Sequence, residues 1–308
     1  MDITLIIPTR NRLGFITQLL KYYRDLNFDG KILILDASDD LNYKRLSVVV
    51  KGLQELKIQH IKTKINEFGQ DQFWDIKENL SYVDTEFVSQ LGDDDYLIPN
   101  GIAQCIQHLR DNKDLVAAQG DGLMIDSPDF NSLPHINAVH PYPGSIRLED
   151  KACERFDNHF SNYQTPFFAV FRTVVFKKVF NYYSLEEVRQ HCSYRIISDE
   201  LLQSALCVIF GKFDKIKTLH VIRGVPANRG GQQIKKTTIT TTEEDKQKSI
   251  EFFAKNISSI GLDISMLKFI NKNDFSPFYG GGIGIHMIDW TDPEYNGIDE
   301  YTPNYQQK

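Results

Sequence analysis

Three consecutive acids, Asp93, Asp94 and Asp95, are the residues of this chain best suited to carry chemistry. They follow a short apolar run and Gly92, with no basic residue beside them. Adjacent carboxylates repel one another unless a cation or hydrogen-bond donors offset the charge. Mg²⁺ and Mn²⁺ prefer oxygen ligands and commonly bind through one or two carboxylates plus substrate phosphates. The triplet therefore predicts a metal–diphosphate site. The alternative is a polar turn before a helix that starts near Pro99.

Two earlier polar segments also follow apolar runs. The run Thr4–Ile7 ends at Pro8, Thr9, Arg10, Asn11 and Arg12, and the run Lys31–Leu35 ends at Asp36. Helical spacing of apolar residues follows the first run, and it recurs after a third strand predicted at 58–63. This alternation predicts a mostly parallel sheet with helices on both faces. Ligands of such sheets bind beyond the carboxyl ends of the strands. Arg10, Asp36 and Asp94 share that location, which favours the metal–nucleotide interpretation.

The rest of the chain continues the pattern and then changes in composition. Further strands are predicted at 58–63, 115–119, 166–171 and 213–221, and a long exposed loop at 127–144. A helix is predicted from Ser198 to Phe210, with Gly211 as its C-terminal cap. Beyond 224 we expect a mobile glycine- and threonine-rich loop, a helix over 243–260, a glycine hinge at 280–284 and a surface tail.

Composition limits the class of protein. The 308 residues carry a formal net charge of −6, which gives no electrostatic footprint for a nucleic-acid partner. The four cysteines are widely spaced and predict free thiols. The chain enters a strand directly at Ile3 and has no apolar run of membrane-spanning length. We therefore expect no signal peptide and a cytoplasmic location.

Taken together, three segments resemble family-2-type glycosyltransferases with the GT-A fold. They are Leu5–Arg12, Leu35–Ser38 and Leu91–Asp95 followed by Pro99. The resemblance implies an α/β, Rossmann-like fold over 1–224, with a donor half over about 1–120 and an acceptor half over about 121–224. A helical C-terminal extension would occupy 225–308. Gly92 departs from the family, which often has an acid there.

The resemblance implies a nucleotide-sugar donor, a divalent metal ion (Mn²⁺ or Mg²⁺) and transfer of the sugar to an acceptor hydroxyl. Asp94 is the expected metal ligand, with Asp95 as second choice and Asp93 near the ribose. Asp36 would bind the base or ribose. The remaining donor-side residues are expected to touch the donor or metal: Pro8, Thr9, Arg10, Asn11, Arg12, Gln70 and Lys77.

Family enzymes carry a catalytic base near the start of a later helix. Asp199 is the first choice and Glu200 the second, and a base of this kind predicts inversion. A Ser–Asp–Glu sequence also suits any helix N-terminus, so that structural interpretation stays open. His220, or else His286, would complete the metal shell. Arg223 and Arg229, beside the predicted mobile loop, would clamp phosphates.

Two other functions remain possible at this stage. A nucleotidyltransferase also binds a nucleotide and Mg²⁺ at strand ends, but it usually has a glycine-rich loop after the first strand. The segment Pro8–Arg12 has basic residues without those glycines. The second alternative is a sugar- or nucleotide-binding module without activity. It is suggested by Gly92, which stands where the family often has an acid. The sugar, the nucleotide base, the acceptor and the oligomeric state are not encoded in any recognisable motif.

Overall fold

The computed structural model describes residues 1–64, 72–127, 138–142, 144–161, 163–182, 187, 200–226 and 243–262. Its strands are β1 (Ile3–Thr9), β2 (Lys31–Asp36), β3 (Lys57–Lys62), β4 (Phe87–Gln90), β5 (Asp95–Leu97), β6 (Leu115–Ser127), β7 (Ala138–Tyr142), β8 (Val170–Arg172) and β9 (Lys212–Pro226). Its helices are α1 (Leu13–Asp25), α2 (Asp40–Lys51), α3 (Gln72–Glu78), α4 (Pro99–Asp111), α5 (Ala152–Ser161), α6 (Thr173–Asn181), α7 (Leu202–Phe210) and α8 (Glu243–Ser259). Strands and helices alternate in the first half, as the sequence predicts.

The described strands form one mixed sheet in the order β3-β2-β1-β4-β8-β6-β9-β5, and β7 pairs with β6. The block β3-β2-β1-β4 is parallel. Strand β8 is antiparallel to both β4 and β6, so β6 runs in the same direction as β4, and β9 is parallel to β6. Strands β5, β7 and β8 run the opposite way. The predicted α/β, mostly parallel sheet is confirmed.

Register within the parallel block sets the position of the candidate site. Thr9 of β1 lies beside Asp36 of β2, which lies beside Lys62 of β3. Strand β4 ends at Gln90, next to Ile6. Because parallel strands share one carboxyl edge, the segments that follow β1, β2 and β4 emerge on the same side of the sheet.

Helices cover both faces of the sheet. Alternate residues of β1 point to opposite faces, so that Ile3, Leu5 and Ile7 join one apolar cluster and Ile6 joins the other. The first cluster includes the inward faces of α1 and α4. The second contains residues of α5, α6 and α7, and it also takes Ile250, Phe253 and Ile257 from α8. The helix expected after 243 therefore packs on the same core.

Four predicted boundaries are wrong. Strand β6, expected over 115–119, continues to Ser127, and β8, expected over 166–171, begins only at Val170. Residues 138–142, expected to be loop, form β7 along β6, and the proline within it is tolerated because β7 is an edge strand. Strand β9, expected to end at Val221, continues to Pro226, because β6 and β5 pair with that continuation. The expected domain boundary after residue 224 thus falls inside β9 and stays a prediction.

Two expectations from composition can be checked. Cys105, Cys153 and Cys207 are free thiols, as predicted; Cys192 lies outside the described residues. No helix within the described part of the chain has the length and apolarity needed to span a membrane.

Candidate functional site

The acidic triplet lies in the turn that connects β4 to β5. The backbone N–H of Leu91 still bonds to the Ile6 carbonyl at 3.1 Å, so the chain leaves the sheet only at Gly92. The Asp95 N–H then bonds back to the Gly92 carbonyl at 3.3 Å, which closes the turn. The turn therefore projects from the carboxyl edge of the sheet, as expected of a ligand-binding segment.

Asp93 is 2% exposed and is held by the segment that follows β1. Its Oδ2 accepts a hydrogen bond from Thr9 Oγ1 at 2.6 Å, and its Oδ1 accepts one from Arg12 Nη1. Burial raises the pKa of Asp93, although the charge of Arg12 opposes this shift. Asp93 thus connects the acidic turn to the end of β1. Its expected contact with a ribose stays a prediction.

Asp94 presents its two oxygens in different directions. Oδ2 accepts a hydrogen bond from Arg12 Nη2 at 2.7 Å. Oδ1 faces the space above Gly92, where a Cβ would lie 2.8 Å from Asp94 Oδ1 and 2.9 Å from Asp95 Oδ2. One oxygen from each of two carboxylates thus converges on a space that any larger residue at position 92 would fill.

Asp95 is anchored from the opposite side by β9. Its backbone pairs with Arg223, and its Oδ1 accepts a hydrogen bond from the Gly224 N–H at 3.1 Å. Burial and the charge of Asp94 raise the pKa of Asp95, although Arg223 lowers it. With Oδ1 occupied in this way, Oδ2 is the oxygen directed to the space above Gly92.

This arrangement suits a divalent cation that shares its ligands with a substrate. Asp94 Oδ1 and Asp95 Oδ2 both lie beside the open side of Gly92 and supply hard oxygen donors there. Among the described residues, no group of three or more His, Cys, Asp and Glu side chains is arranged to hold a metal. The protein oxygens present fit a metal that takes further ligands from a diphosphate or from water.

His220 does not join the carboxylates, contrary to expectation. Its Nε2 lies 2.7 Å from the Phe168 carbonyl and its Nδ1 lies 3.7 Å from Cys105 Sγ, within the core. Burial lowers the pKa of His220 to about 4. A Cβ on Gly101 would lie 2.5 Å from the Leu219 carbonyl, so α4 packs directly on β9 at this point. Both ring nitrogens face core partners, so the described geometry supports a structural role.

Asp36 is fully buried at the end of β2. Its Oδ1 accepts a hydrogen bond from the Ser38 N–H at 2.8 Å, and its Oδ2 lies 2.9 Å from His60 Nε2. Burial alone raises the pKa of Asp36, but the hydrogen bonds from His60 and Ser38 hold it below the usual value. Asn11, with a left-handed φ of 53°, donates its N–H to Ser38 Oγ at 2.7 Å. The turns after β1 and β2 are thereby joined.

Among the other predicted site residues, some are described by the structure and some lie outside the described ranges. Pro8 lies inside β1, and Arg10 and Arg12 follow it in the same turn. Lys77 donates to the Phe180 carbonyl at 2.6 Å, and burial lowers its pKa, so it supports the contact between α3 and α6. The predicted residues Gln70, Asp199, Arg229 and His286 lie outside the described residues.

Arg223 lies inside β9, so its expected place beside a loop is wrong. Its guanidinium carbon is 5.6 Å from the centroid of the Tyr142 ring and 6.0 Å from that of Phe168. Burial lowers the pKa of Arg223, but Tyr142, Asp95 and Glu200 raise it above the ordinary value. The positive charge of Arg223 lowers the pKa of Asp95 and of Glu200. Its expected contact with a phosphate stays a prediction.

Glu200 lies two residues before α7. It accepts a hydrogen bond from the Tyr163 hydroxyl at 2.7 Å. Burial raises the pKa of Glu200, while Tyr163 and Arg223 lower it. A half-buried carboxylate with a raised pKa, oriented by a hydroxyl, is suited to accept a proton from a bound hydroxyl group.

Several residues of the site were missed at the sequence level. His60 lies inside β3, beside Ile34, so the strand-end rule that selected Asp36 and Asp94 does not select it. Tyr163, Tyr142 and Gly224 carried no local signal either, because they reach the site only through the pairing of β6, β7 and β9 and the start of α7.

The fold of this chain is similar to the folds of several solved structures. A fragment of S. aureus TarS in complex with UDP-GlcNAc aligns with a TM-score of 0.56 at 15% identity, covering 88% of this chain and 70% of that one. The TarS fragment with UDP gives 0.56 at 17% identity, covering 88% and 69%. A third TarS fragment structure gives 0.54 at 14%, covering 93% and 76%.

At these identities the likeness is one of fold. It confirms the GT-A fold that the three sequence segments predict. No protein-family model matches the sequence, and no match was found among curated proteins.

Proposed function

We propose that the chain is a glycosyltransferase that binds a nucleoside-diphosphate sugar with Mn²⁺ or Mg²⁺ and transfers the sugar, with inversion, to an acceptor hydroxyl. The observation that carries this proposal is the convergence of Asp94 Oδ1 and Asp95 Oδ2 above Gly92, at the carboxyl edge of a GT-A sheet. Two TarS structures of similar fold contain UDP-GlcNAc or UDP, which supports a nucleoside-diphosphate ligand for this chain as well.

The donor would be held by the carboxyl edge of the parallel block. Asp94 and Asp95 would hold the metal ion, which when bound supplies electrostatic stabilisation of the departing diphosphate. The turn from Pro8 to Arg12 and the buried Asp36 flank this position and would orient the nucleoside. The pairing of Thr9 with Asp93 keeps the first turn and the acidic turn in a fixed relation.

The acceptor's proton would be taken by Glu200 or Asp199. Of these two, the structure describes Glu200, which is half-buried and hydrogen-bonded to Tyr163. Tyr163 would fix the direction of the carboxylate, and the charge of Arg223 would favour its ionised form. Single displacement requires this base on the face of the sugar opposite the diphosphate.

The convergence above Gly92 also bears on the alternative of an inactive binding module. That alternative was suggested by a glycine where related sequences often have an acid. Here the glycine makes room for two neighbouring carboxylates. Its presence is therefore compatible with a working metal site.

Calorimetry followed by an activity assay tests the proposal. We expect the purified chain to bind UDP more tightly with Mn²⁺ than with EDTA, and to hydrolyse UDP-GlcNAc or another nucleotide-sugar slowly without an acceptor. Glu200→Gln should keep UDP binding and lose turnover. Asp157→Asn, a change of the same kind at a surface position of α5, serves as the control. Absence of metal-dependent binding to any member of a nucleoside-diphosphate panel would refute the proposal.

A further inference from the structure

The Arg12 side chain joins two of the three acids of the turn. Nη1 donates to Asp93 Oδ1, and Nη2 donates to Asp94 Oδ2 at 2.7 Å. The guanidinium carbon lies 4.2 Å from the centroid of the Phe15 ring, on helix α1. The Arg12 side chain is 12% exposed and that of Asp94 16%, so this double ion pair is largely shielded from water.

The double contact fixes the direction of the Asp94 carboxylate. A guanidinium presents its N–H groups in a rigid planar fork, so an arginine held by two carboxylates has little freedom to rotate. With Oδ2 of Asp94 bound to this fork, Oδ1 is left facing the space above Gly92. Arg12 therefore determines which oxygen of Asp94 is offered to a ligand.

Arg12 also supplies positive charge to a turn that would otherwise be strongly negative. The guanidinium of an arginine is always protonated in proteins, and here it lies in ion pairs with Asp93 and Asp94, so its positive charge is fixed at the turn. A bare divalent cation that approaches the Gly92 space meets this fixed positive charge at short range. A cation already bound to a nucleoside diphosphate has much of its own charge neutralised and meets far less repulsion.

We propose that Arg12 is a positioning residue for Asp94 and that it makes metal binding at this turn depend on the nucleoside diphosphate. The inference rests on the proposed metal–nucleotide site and adds an order of events to it. The metal and the diphosphate enter together, because the charge of Arg12, which keeps its contacts with Asp93 and Asp94, disfavours the cation without the diphosphate.

Binding of Mn²⁺ in two settings tests the inference without any activity measurement. The electron paramagnetic resonance signal of free Mn²⁺ reports binding of the metal alone, and calorimetry with UDP at saturating Mn²⁺ reports the complex. For Arg12→Met we expect affinity for Mn²⁺ alone to rise by about tenfold or more, because the repelling charge is gone. Affinity for UDP with Mn²⁺ should fall by about fivefold or more, because Asp94 is no longer oriented.

Opposite changes in the two affinities distinguish this role from a general structural one, since damage to the fold would lower both. Arg12→Lys keeps the charge but cannot form the planar fork. We expect it to leave affinity for Mn²⁺ alone low and to weaken UDP binding with Mn²⁺. Arg24→Met, which removes a surface ion pair with Asp25 on the same helix, is the matched control and should change neither affinity.

Two results would overturn the inference: no gain in affinity for Mn²⁺ alone in Arg12→Met, or no loss of affinity for UDP with Mn²⁺ in the same variant. Either result would leave the proposed function standing if the parent still binds UDP more tightly with Mn²⁺ than in EDTA. Failure of the proposed function has a separate signature, which is a parent chain that binds no nucleoside diphosphate in the presence of Mn²⁺.

Discussion

Gly92 lies directly beneath the carboxylate of Asp94, so that a Cβ on the glycine would stand 2.8 Å from Asp94 Oδ1. Real Cβ atoms are essentially never found so close to another heavy atom. The absence of a side chain at position 92 is therefore a condition for the present direction of Asp94. The same space receives an oxygen of Asp95, so a side chain at position 92 would displace both carboxylates.

We predict that Gly92→Ala reduces metal-dependent UDP binding by about tenfold or more, or about 1.4 kcal/mol, because both carboxylates must turn away. The carboxylates are side chains and can move, so the thermal unfolding temperature should change little. Gly52→Ala is the control: its Cβ would meet nothing closer than the Val49 carbonyl at 3.4 Å, and its φ of −83° suits alanine. Calorimetry with and without Mn²⁺ compares the two variants, and equal UDP binding by both would contradict the prediction.

Asp94→Asn should separate metal binding from folding. The amide keeps the size of the side chain and can still accept a hydrogen bond from Arg12, but it is a poorer ligand for a hard cation. We expect UDP affinity in Mn²⁺ to fall to about the level measured in EDTA, and unfolding by heat to change by less than about 1 kcal/mol. A variant that binds UDP and Mn²⁺ as tightly as the parent would show that Asp94 is not a metal ligand.

The places of Asp36, Asp93 and Asp94 could be predicted because each follows an apolar run that ends in a turn. Those runs and turns are local properties of the sequence. What the acids contact could not be predicted in the same way. Thr9 is 84 residues from Asp93, and Gly224 is 129 residues from Asp95. Contacts at such separations depend on sheet order, and the pairing of β5 with β9 has no local signal.

His220 and Arg223 show why the later part of the chain was harder to interpret. A histidine at the end of a strand looks like a ligand from sequence alone, yet which face of β9 it occupies depends on how α4 and β6 pack against it. Arg223 was expected beside a loop because a glycine-rich, polar segment follows it in the sequence. Pairing with β5 and β6 places Arg223 inside a strand that continues to Pro226, where this range of described residues ends.

Asp36→Asn should weaken UDP binding by a similar factor with and without Mn²⁺. The residue lies at the end of β2, apart from the acidic turn, and its partners Ser38 and His60 belong to the neighbouring turn and strand. Loss of its charge removes a charge-assisted contact with His60, so a stability loss of about 1–3 kcal/mol should accompany the change. Calorimetry and thermal unfolding measure the two effects. An effect on binding that appears only with Mn²⁺ would contradict the assignment of Asp36 to the nucleoside.

The last prediction concerns acid stability and depends on two buried histidines. His159 is fully buried against Phe160 and Tyr163, and neither of its ring nitrogens has a hydrogen-bond partner among the described residues. Burial and the charge of Arg147 lower the pKa of His159 well below its usual value, and burial lowers that of His220 to about 4. Below the unfolded-state pKa of about 6.5, the unfolded chain binds protons that the folded chain excludes.

Stability should therefore be highest above pH 6.5 and should fall as the pH drops from about 6.5 towards 4, by up to about 1.4 kcal/mol per pH unit for each histidine. His159→Phe replaces the ring by an apolar one of similar size in an aromatic environment, so it should reduce this slope without lowering stability at pH 7.5. His140→Phe, at an exposed position of β7, should leave the slope unchanged. Urea unfolding at pH 7.5, 6.0 and 5.0 measures all three chains. If His159→Phe and the parent lose stability in parallel, then other groups, and not this histidine, set the acid limit of the fold.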